Sequence, residues 1–156
     1  MRLDEIELVQ WGERIGQRVG TPTVIALSGP LGAGKSVLAR AIGRGAGVEV
    51  PMPSPSYNLL LRYPTARKLD VVHLDLYRIE SQEELWELGW SELGAPNEIV
   101  LVEWPERAEG VLPSDYWAVE LSITEGDLLR RDIGVRLFGA PADLPGFPMS
   151  VSVSGV

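Results

Sequence analysis

A three-layer α/β domain is the fold this sequence predicts, its mixed sheet parallel near a glycine-rich loop and antiparallel at the edges. Three observations carry that expectation. The apolar run Thr23-Val24-Ile25-Ala26-Leu27 leads into Gly29-Pro30-Leu31-Gly32-Ala33-Gly34-Lys35-Ser36 and then at once into a helical stretch. Ile99 to Val102 are four apolar residues in a row, as in a strand covered on both faces. Val119, Leu121 and Ile123 alternate with Glu120, Ser122 and Thr124, the pattern of an antiparallel strand with one solvated face.

Each element follows from its residues. Asp4 to Val19 carries Ile6, Val9, Ile15 and Val19 at loose helical spacing, with Asp4 available as a cap; Gly12 and Gly16 weaken the signal. Thr23 to Leu27 reads as a buried strand. Lys35 to Ile42 reads as a helix that turns Val37, Leu38, Ala41 and Ile42 toward the sheet, ended by Gly43, Gly45 and Gly47. Pro51, Pro53 and Pro55 exclude regular structure between Val50 and Ser56. Tyr57 to Tyr63 and Leu69 to Leu76 form a hairpin around the turn from Pro64 to Lys68. Ser81 with Glu84 three residues later is a capping-box pattern that opens a short helix to Leu88. A second hairpin joins Tyr116–Thr124 to Leu129–Phe138 through Glu125-Gly126-Asp127-Leu128. The folded domain is thus expected over residues 1–138. The tail, 139–156, is rich in proline and glycine, and its Val151-Ser152-Val153-Ser154 reads as an edge strand or a mobile end.

Composition narrows the chemistry. At 156 residues the chain is one domain. It has no cysteine, which removes disulfides, thiolate catalysis and cysteine-bound zinc. Asp4, Glu5 and Glu7 stand where a signal peptide would be basic and then apolar. No apolar run approaches the roughly 20 residues of a membrane span, so a cytosolic protein with no membrane partner is expected. The formal net charge of −8 argues against autonomous binding to nucleic acid, whose affinity comes from lysine and arginine on phosphates. Two loose basic clusters, Arg62, Arg67 and Lys68 and then Arg130, Arg131 and Arg136, read as solvated strand ends.

Residues Gly29 to Ser36 match G-x-x-x-x-G-K-[ST] at every specified position. In such a loop, glycines let successive backbone N–H groups turn inward around a β-phosphate, Lys35 reaches the β/γ oxygens, and the Ser36 hydroxyl holds magnesium. The helix that follows points its positive end at the same phosphate. The motif in its strand–helix setting predicts a P-loop NTPase fold, with Gly29, Leu31, Gly32, Ala33, Gly34, Lys35 and Ser36 binding the nucleotide. Turnover also needs a carboxylate, for the metal or for the attacking water, where an apolar strand ends near the γ-phosphate. Asp75 closes Val71-Val72-His73-Leu74 and Glu103 closes Ile99-Val100-Leu101-Val102, so both qualify, and the two roles stay undivided between them. The single histidine, His73, reads as a hydrogen-bonded structural residue. Trp104 and Pro105 read as core packing or as a wall beside the site. Arg78 reads equally as a charge near phosphates or as a partner of Glu80 or Glu84.

Four blocks together resemble one family, the TsaE (YjeE) ATPases of bacterial tRNA threonylcarbamoyladenosine biosynthesis. They are Leu27 to Ser36, Ser54-Pro55-Ser56-Tyr57, His73-Leu74-Asp75-Leu76-Tyr77-Arg78 and Glu103-Trp104-Pro105, spread over roughly residues 5–138. The glycine loop alone is shared by many families, whereas its combination with the other blocks is specific. The resemblance implies a small ATPase using ATP and Mg2+ that joins the TsaB and TsaD proteins, where TsaD transfers a threonylcarbamoyl group to tRNA adenosine; tRNA itself is met only indirectly. It implies magnesium on Ser36 and Glu103, a catalytic or phosphate-sensing Asp75, and a nucleotide-responsive switch loop at Ser54 to Tyr57. Serine stands at Ser36 and Ser56 where the family usually has threonine, and keeps the hydroxyl a metal needs. Rival readings are a small-molecule kinase, for which no long lid insertion is present, and a nucleotide-gated interaction module with negligible turnover. The Asn/Thr-Lys-x-Asp pattern that reads guanine is absent, which favours adenine.

Overall fold

The computed structural model describes residues 1–146. Its strands are β1 (Arg2–Asp4), β2 (Thr23–Ser28), β3 (Leu60–Pro64), β4 (Asp70–Asp75), β5 (Glu98–Glu103), β6 (Tyr116–Ile123) and β7 (Arg130–Phe138). Its helices are α1 (Glu5–Arg18), α2 (Lys35–Ala46) and α3 (Gln82–Glu87), with 3-10 turns at Trp90–Glu92 and Pro105–Ala108. One sheet runs in the order β1-β7-β6-β2-β5-β4-β3. β2 lies parallel to β5 and β6, and β4 parallel to β5. β3 at one end, and β7 and β1 at the other, pair antiparallel. The mixed sheet, parallel at the centre and antiparallel at both edges, is as the sequence predicts.

Strands apolar on both faces need cover on both, and that dictates three layers. Ile25, Leu27, Val71, Ile99, Leu101, Val119 and Leu121 point to the face packed by α1 and α2. Val24, Val72, Leu74, Val100 and Val102 point to the other, under Leu76, Ile79, Leu85 of α3, Trp90 and Ala108. Side chains alternate along a strand, so His73 and Asp75 share the face of Val71, and Glu103 shares the face of Leu101. The two strand-end carboxylates therefore emerge on the side of α2.

The helices depart from the sequence reading in an informative way. α2 does not stop at Ile42 but continues through Gly43 and Gly45 to Ala46, and ends on Gly47 in the left-handed region at φ +110°. The glycines that weaken both helix signals are what lets α1 and α2 touch. A Cβ at Gly16 would lie 2.0 Å from the Ile42 carbonyl oxygen, and one at Gly45 would lie 2.0 Å from that of Glu13. Arg67 is no solvated strand end: its guanidinium donates to the carbonyls of Gly16 (3.1 Å), Gly45 (3.3 Å) and Gln17 (3.3 Å), where the negative ends of both helices meet. Arg62 likewise pairs with Glu98.

Residues 2–4, for which the sequence predicts no strand, form β1 on the free edge of β7, with Leu3 opposite Arg131. Asp4 then caps α1 in a full capping box with Glu7. At α3 the box is half formed. Ser81 accepts from the Glu84 N–H at 3.4 Å, while the Glu84 carboxylate accepts from Glu80 instead. The first part of the tail packs on the body: Ala142 and Leu144 join the α1/α2 core, and the Trp117 and Trp11 indoles donate to the carbonyls of Ala142 and Pro145. Val151 to Ser154 lie outside the described residues.

Close helix contact makes a prediction. Gly16→Ala and Gly45→Ala each drive a methyl into backbone and are expected to cost at least about 1–3 kcal/mol. Gly134→Ala, with nothing within 4 Å, is expected to stay within about 0.5 kcal/mol. Urea unfolding midpoints test this, and equal midpoints for the three variants would contradict the packing.

Candidate functional site

The site gathers at the carboxyl ends of β2, β4 and β5, where Leu27 pairs with Glu103 and Glu103 with Asp75 across the sheet. The chain leaves β2 and turns at Gly29, whose φ of +141° and 2.2 Å approach of a notional Cβ to the Leu121 carbonyl oxygen admit no side chain. Gly32 and Gly34 also take positive φ. Gly34 is the N-cap of α2 and offers no side-chain acceptor, so the first-turn N–H groups of that helix face the loop interior without a cap. Leu31 stands out at the loop tip.

Both flanks of the loop are held. On one, Arg131 of β7 donates to the carbonyls of Ala33 (3.1 Å) and Gly32 (3.2 Å), as well as to Leu128 (2.8 Å) and Arg130 (2.9 Å). Tying those carbonyls outward fixes the loop backbone, in which the Ala33 N–H donates to the Pro30 carbonyl at 3.1 Å. On the other, the buried Lys35 ammonium donates to the carbonyls of Gly29 and Pro30 and lies 4.1 Å from the Trp104 ring centroid. Burial pushes its pKa down, partly offset by the negative charges of Glu103, Glu106 and Asp75. Trp104 itself takes φ +58° and packs on Tyr77 at 4.9 Å. It forms a wall of the site.

Ser36, one residue beyond Lys35, donates its hydroxyl to both oxygens of Glu103, at 2.9 and 3.1 Å. Glu103 also meets His73 Nε2 at 2.6 Å. Asp75 accepts from the Tyr77 N–H at 2.9 Å and, at a long 3.5 Å, from the Ser56 hydroxyl, which in turn lies 2.8 Å from Ser54 Oγ. The Asp75 N–H donates to Leu59, so the proline-broken segment hangs on the same strand end. Two neighbouring hard oxygens, Ser36 Oγ and a Glu103 oxygen, beside the Lys35 ammonium could contribute to holding a magnesium ion.

Residues 3–133 match the family described as threonylcarbamoyl adenosine biosynthesis protein TsaE. The chain belongs to the TsaE family. Among proteins carrying the name tRNA threonylcarbamoyladenosine biosynthesis protein TsaE, that of Nostoc sp. is 35% identical over 138 residues, 86% of this chain and 83% of its own length. That of Synechocystis sp. is 39% identical over 101 residues, 63% of this chain, and the match spans 64% of the Synechocystis protein. That of Haemophilus influenzae is 33% identical over 115 residues, 70% of this chain and 72% of its own. In fold, the chain is similar to the crystal structure of Bacillus subtilis YdiB, with a TM-score of 0.64 at 19% identity, over 99% of this chain and 90% of that one.

In this TsaE-family chain, the loop residues, Ser36 and Glu103 come together, and Asp75 stands one strand away. Sequence reasoning left two contributors out, a brace and a cleft. Arg131 is a brace, not a solvated end. His73 is a buried, hydrogen-bonded residue, as the sequence predicts, and its partner is Glu103. A cleft of about 540 Å³ opens beside Gly32, Ala33 and Gly34, walled by Ile6, Leu8, Val37, Leu128 and Leu129, and the two hairpin leucines stand exposed with no reason visible in the sequence. Arg78 pairs with neither Glu80 nor Glu84 but lies over the Tyr57 ring, 4.4 Å from its centroid.

The brace is testable without ligand. Arg131→Met removes hydrogen bonds at about 0.5–1.5 kcal/mol each and is expected to raise hydrogen exchange of the Ala33 amide, which donates to the Pro30 carbonyl at 3.1 Å, by roughly tenfold. Unchanged exchange at that amide would show the loop holds its shape unaided.

Proposed function

We propose that this chain is a magnesium-dependent P-loop ATPase that supports threonylcarbamoyl transfer to tRNA adenosine by acting on a complex of TsaB and TsaD. One observation carries the reading: the Ser36 hydroxyl and the Glu103 carboxylate sit within hydrogen-bond reach at the mouth of a loop that turns uncapped helix N–H groups inward. Family membership supplies the pathway.

The residues divide the work as follows. Backbone N–H groups of Gly32, Gly34 and the first turn of α2 take the β-phosphate, and Lys35 trades its carbonyl partners for β/γ oxygens. That exchange returns a buried ammonium to anionic partners, so the downward push on its pKa is relieved. Ser36 and Glu103 would hold a magnesium ion, which when bound would supply charge neutralisation at the phosphoryl oxygens. Asp75 orients water for in-line attack on the γ-phosphorus and takes its proton, as the bond to the β–γ bridging oxygen breaks and ADP leaves. The apolar cleft beside Gly32 to Gly34 takes the adenine. The acidic net charge agrees with a protein that meets TsaB and TsaD and reaches tRNA through them.

A kinase reading gains nothing from the arginines of the second hairpin. Arg131 is committed to loop carbonyls and Arg130 to Asp127 at 3.3 Å.

An ATPase assay of the purified chain, with and without TsaB and TsaD, tests the proposal. Lys35→Ala is expected to abolish ATP binding by calorimetry. Glu103→Ala is expected to keep partner binding and to lose partner-stimulated hydrolysis by on the order of a hundredfold. Undiminished affinity in the first variant, or undiminished stimulated turnover in the second, would refute the assignment of that residue.

A further inference from the structure

Glu103 is buried, and a buried carboxylate is tolerated only where hydrogen bonds replace water. Its side chain has two partners, Ser36 Oγ and His73 Nε2. Ser36 is spoken for by the metal, which leaves His73 as the partner with no other task. The imidazole is fully buried, and in register its strand neighbours are Leu61 on β3 and Leu101 on β5. Among the described residues Nδ1 has no hydrogen-bond partner. A proton there would be an unsatisfied buried donor, at a cost of about 1–3 kcal/mol. The ring proton therefore belongs on Nε2, facing the carboxylate at 2.6 Å.

We infer that His73 is the positioning residue of the metal carboxylate: its Nε2–H holds Oε2 of Glu103 and so presents Oε1, 2.9 Å from the Ser36 hydroxyl, to the magnesium. The sheet builds this device into itself. His73 and Glu103 lie on adjacent parallel strands with side chains on one face, two residues out of step, so the long glutamate folds back toward the ring while its far oxygen reaches α2. Partners of this kind around a metal ligand fix its rotamer and raise its basicity, and their loss weakens the metal by roughly 10–100-fold.

The inference rests on the proposed magnesium role of Glu103, and its test separates the two. ADP affinity is measured by calorimetry on the full chain in EDTA and across a series of Mg2+ concentrations. His73→Leu is expected to keep its EDTA affinity within about twofold while raising the half-effective Mg2+ concentration roughly 10–100-fold. His73→Gln, whose amide N–H reaches about as far as Nε2, is expected to recover the wild-type Mg2+ dependence to within about threefold, and His73→Asn, whose shorter amide falls short of Glu103, is not. An unchanged Mg2+ midpoint in His73→Leu, or Gln as defective as Asn, overturns the positioning role. If the leucine variant fails to fold, the Gln and Asn pair decides alone. Wild-type affinity indifferent to Mg2+ would overturn the metal reading itself, and this inference with it.

Discussion

Everything at the site depends on the parallel register of β2, β5 and β4. Leu27 lies opposite Glu103 and Glu103 opposite Asp75, so the glycine loop and both carboxylates leave the sheet at one level. Alternation along a strand makes this unforgiving. A slip of one residue in β4 or β5 would send His73 and Asp75, or Glu103, to the opposite face, among Ile79, Leu85 and Trp90, with no partner for their polar atoms. The apolar residues between the polar ones prevent it, because Val72, Leu74, Val100 and Val102 need that second core as much as Ile99 and Leu101 need the first. Packing on both faces of the sheet is thus what aims the carboxylates.

The same economy appears in the helices. A phosphate-binding loop needs a rigid base, and α2 is that base because α1 lies close against it at Gly12, Gly16 and Gly45. Gly12, Gly16 and Gly45 lower the helix propensity of their own segments, at about 1 kcal/mol each relative to alanine. They admit backbone contact in return, which Arg67 then ties at the helix ends.

Much of this is legible in the chain, and the reason the remainder is not is physical. The glycine loop, the two-faced strands and the second hairpin are local patterns, so Thr23 to Ser36, Ile99 to Val102 and Val119 to Thr124 declare themselves. Asp75 and Glu103 could be singled out because each ends an apolar run. Gly43 and Gly45 mislead, since their reason for being in α2 lies in Met52 and in α1. β1 has three residues, too few for a period, and exists because β7 offers an edge. Arg131 acts on carbonyls nearly a hundred positions earlier in the chain, and only the β6–β7 pairing brings it there. His73 declares its side of the sheet but not its partner, which depends on the reach of one glutamate side chain.

The two flanks of the loop are held unequally, and that decides where the site can yield. On the β7 side, one guanidinium makes four hydrogen bonds of 2.8 to 3.2 Å and locks loop to hairpin. On the β4 side, among the described residues, the one hydrogen bond from the segment Ser54 to Tyr57 to a site carboxylate is the 3.5 Å contact from Ser56 to Asp75, and Tyr57 is 82% exposed under the Arg78 guanidinium. Segments with few buried contacts open at the lowest free energy. On the function proposed above, a change in charge at the loop would meet its least resistance in the segment that leans on Asp75, on the surface that carries Tyr57 and Arg78.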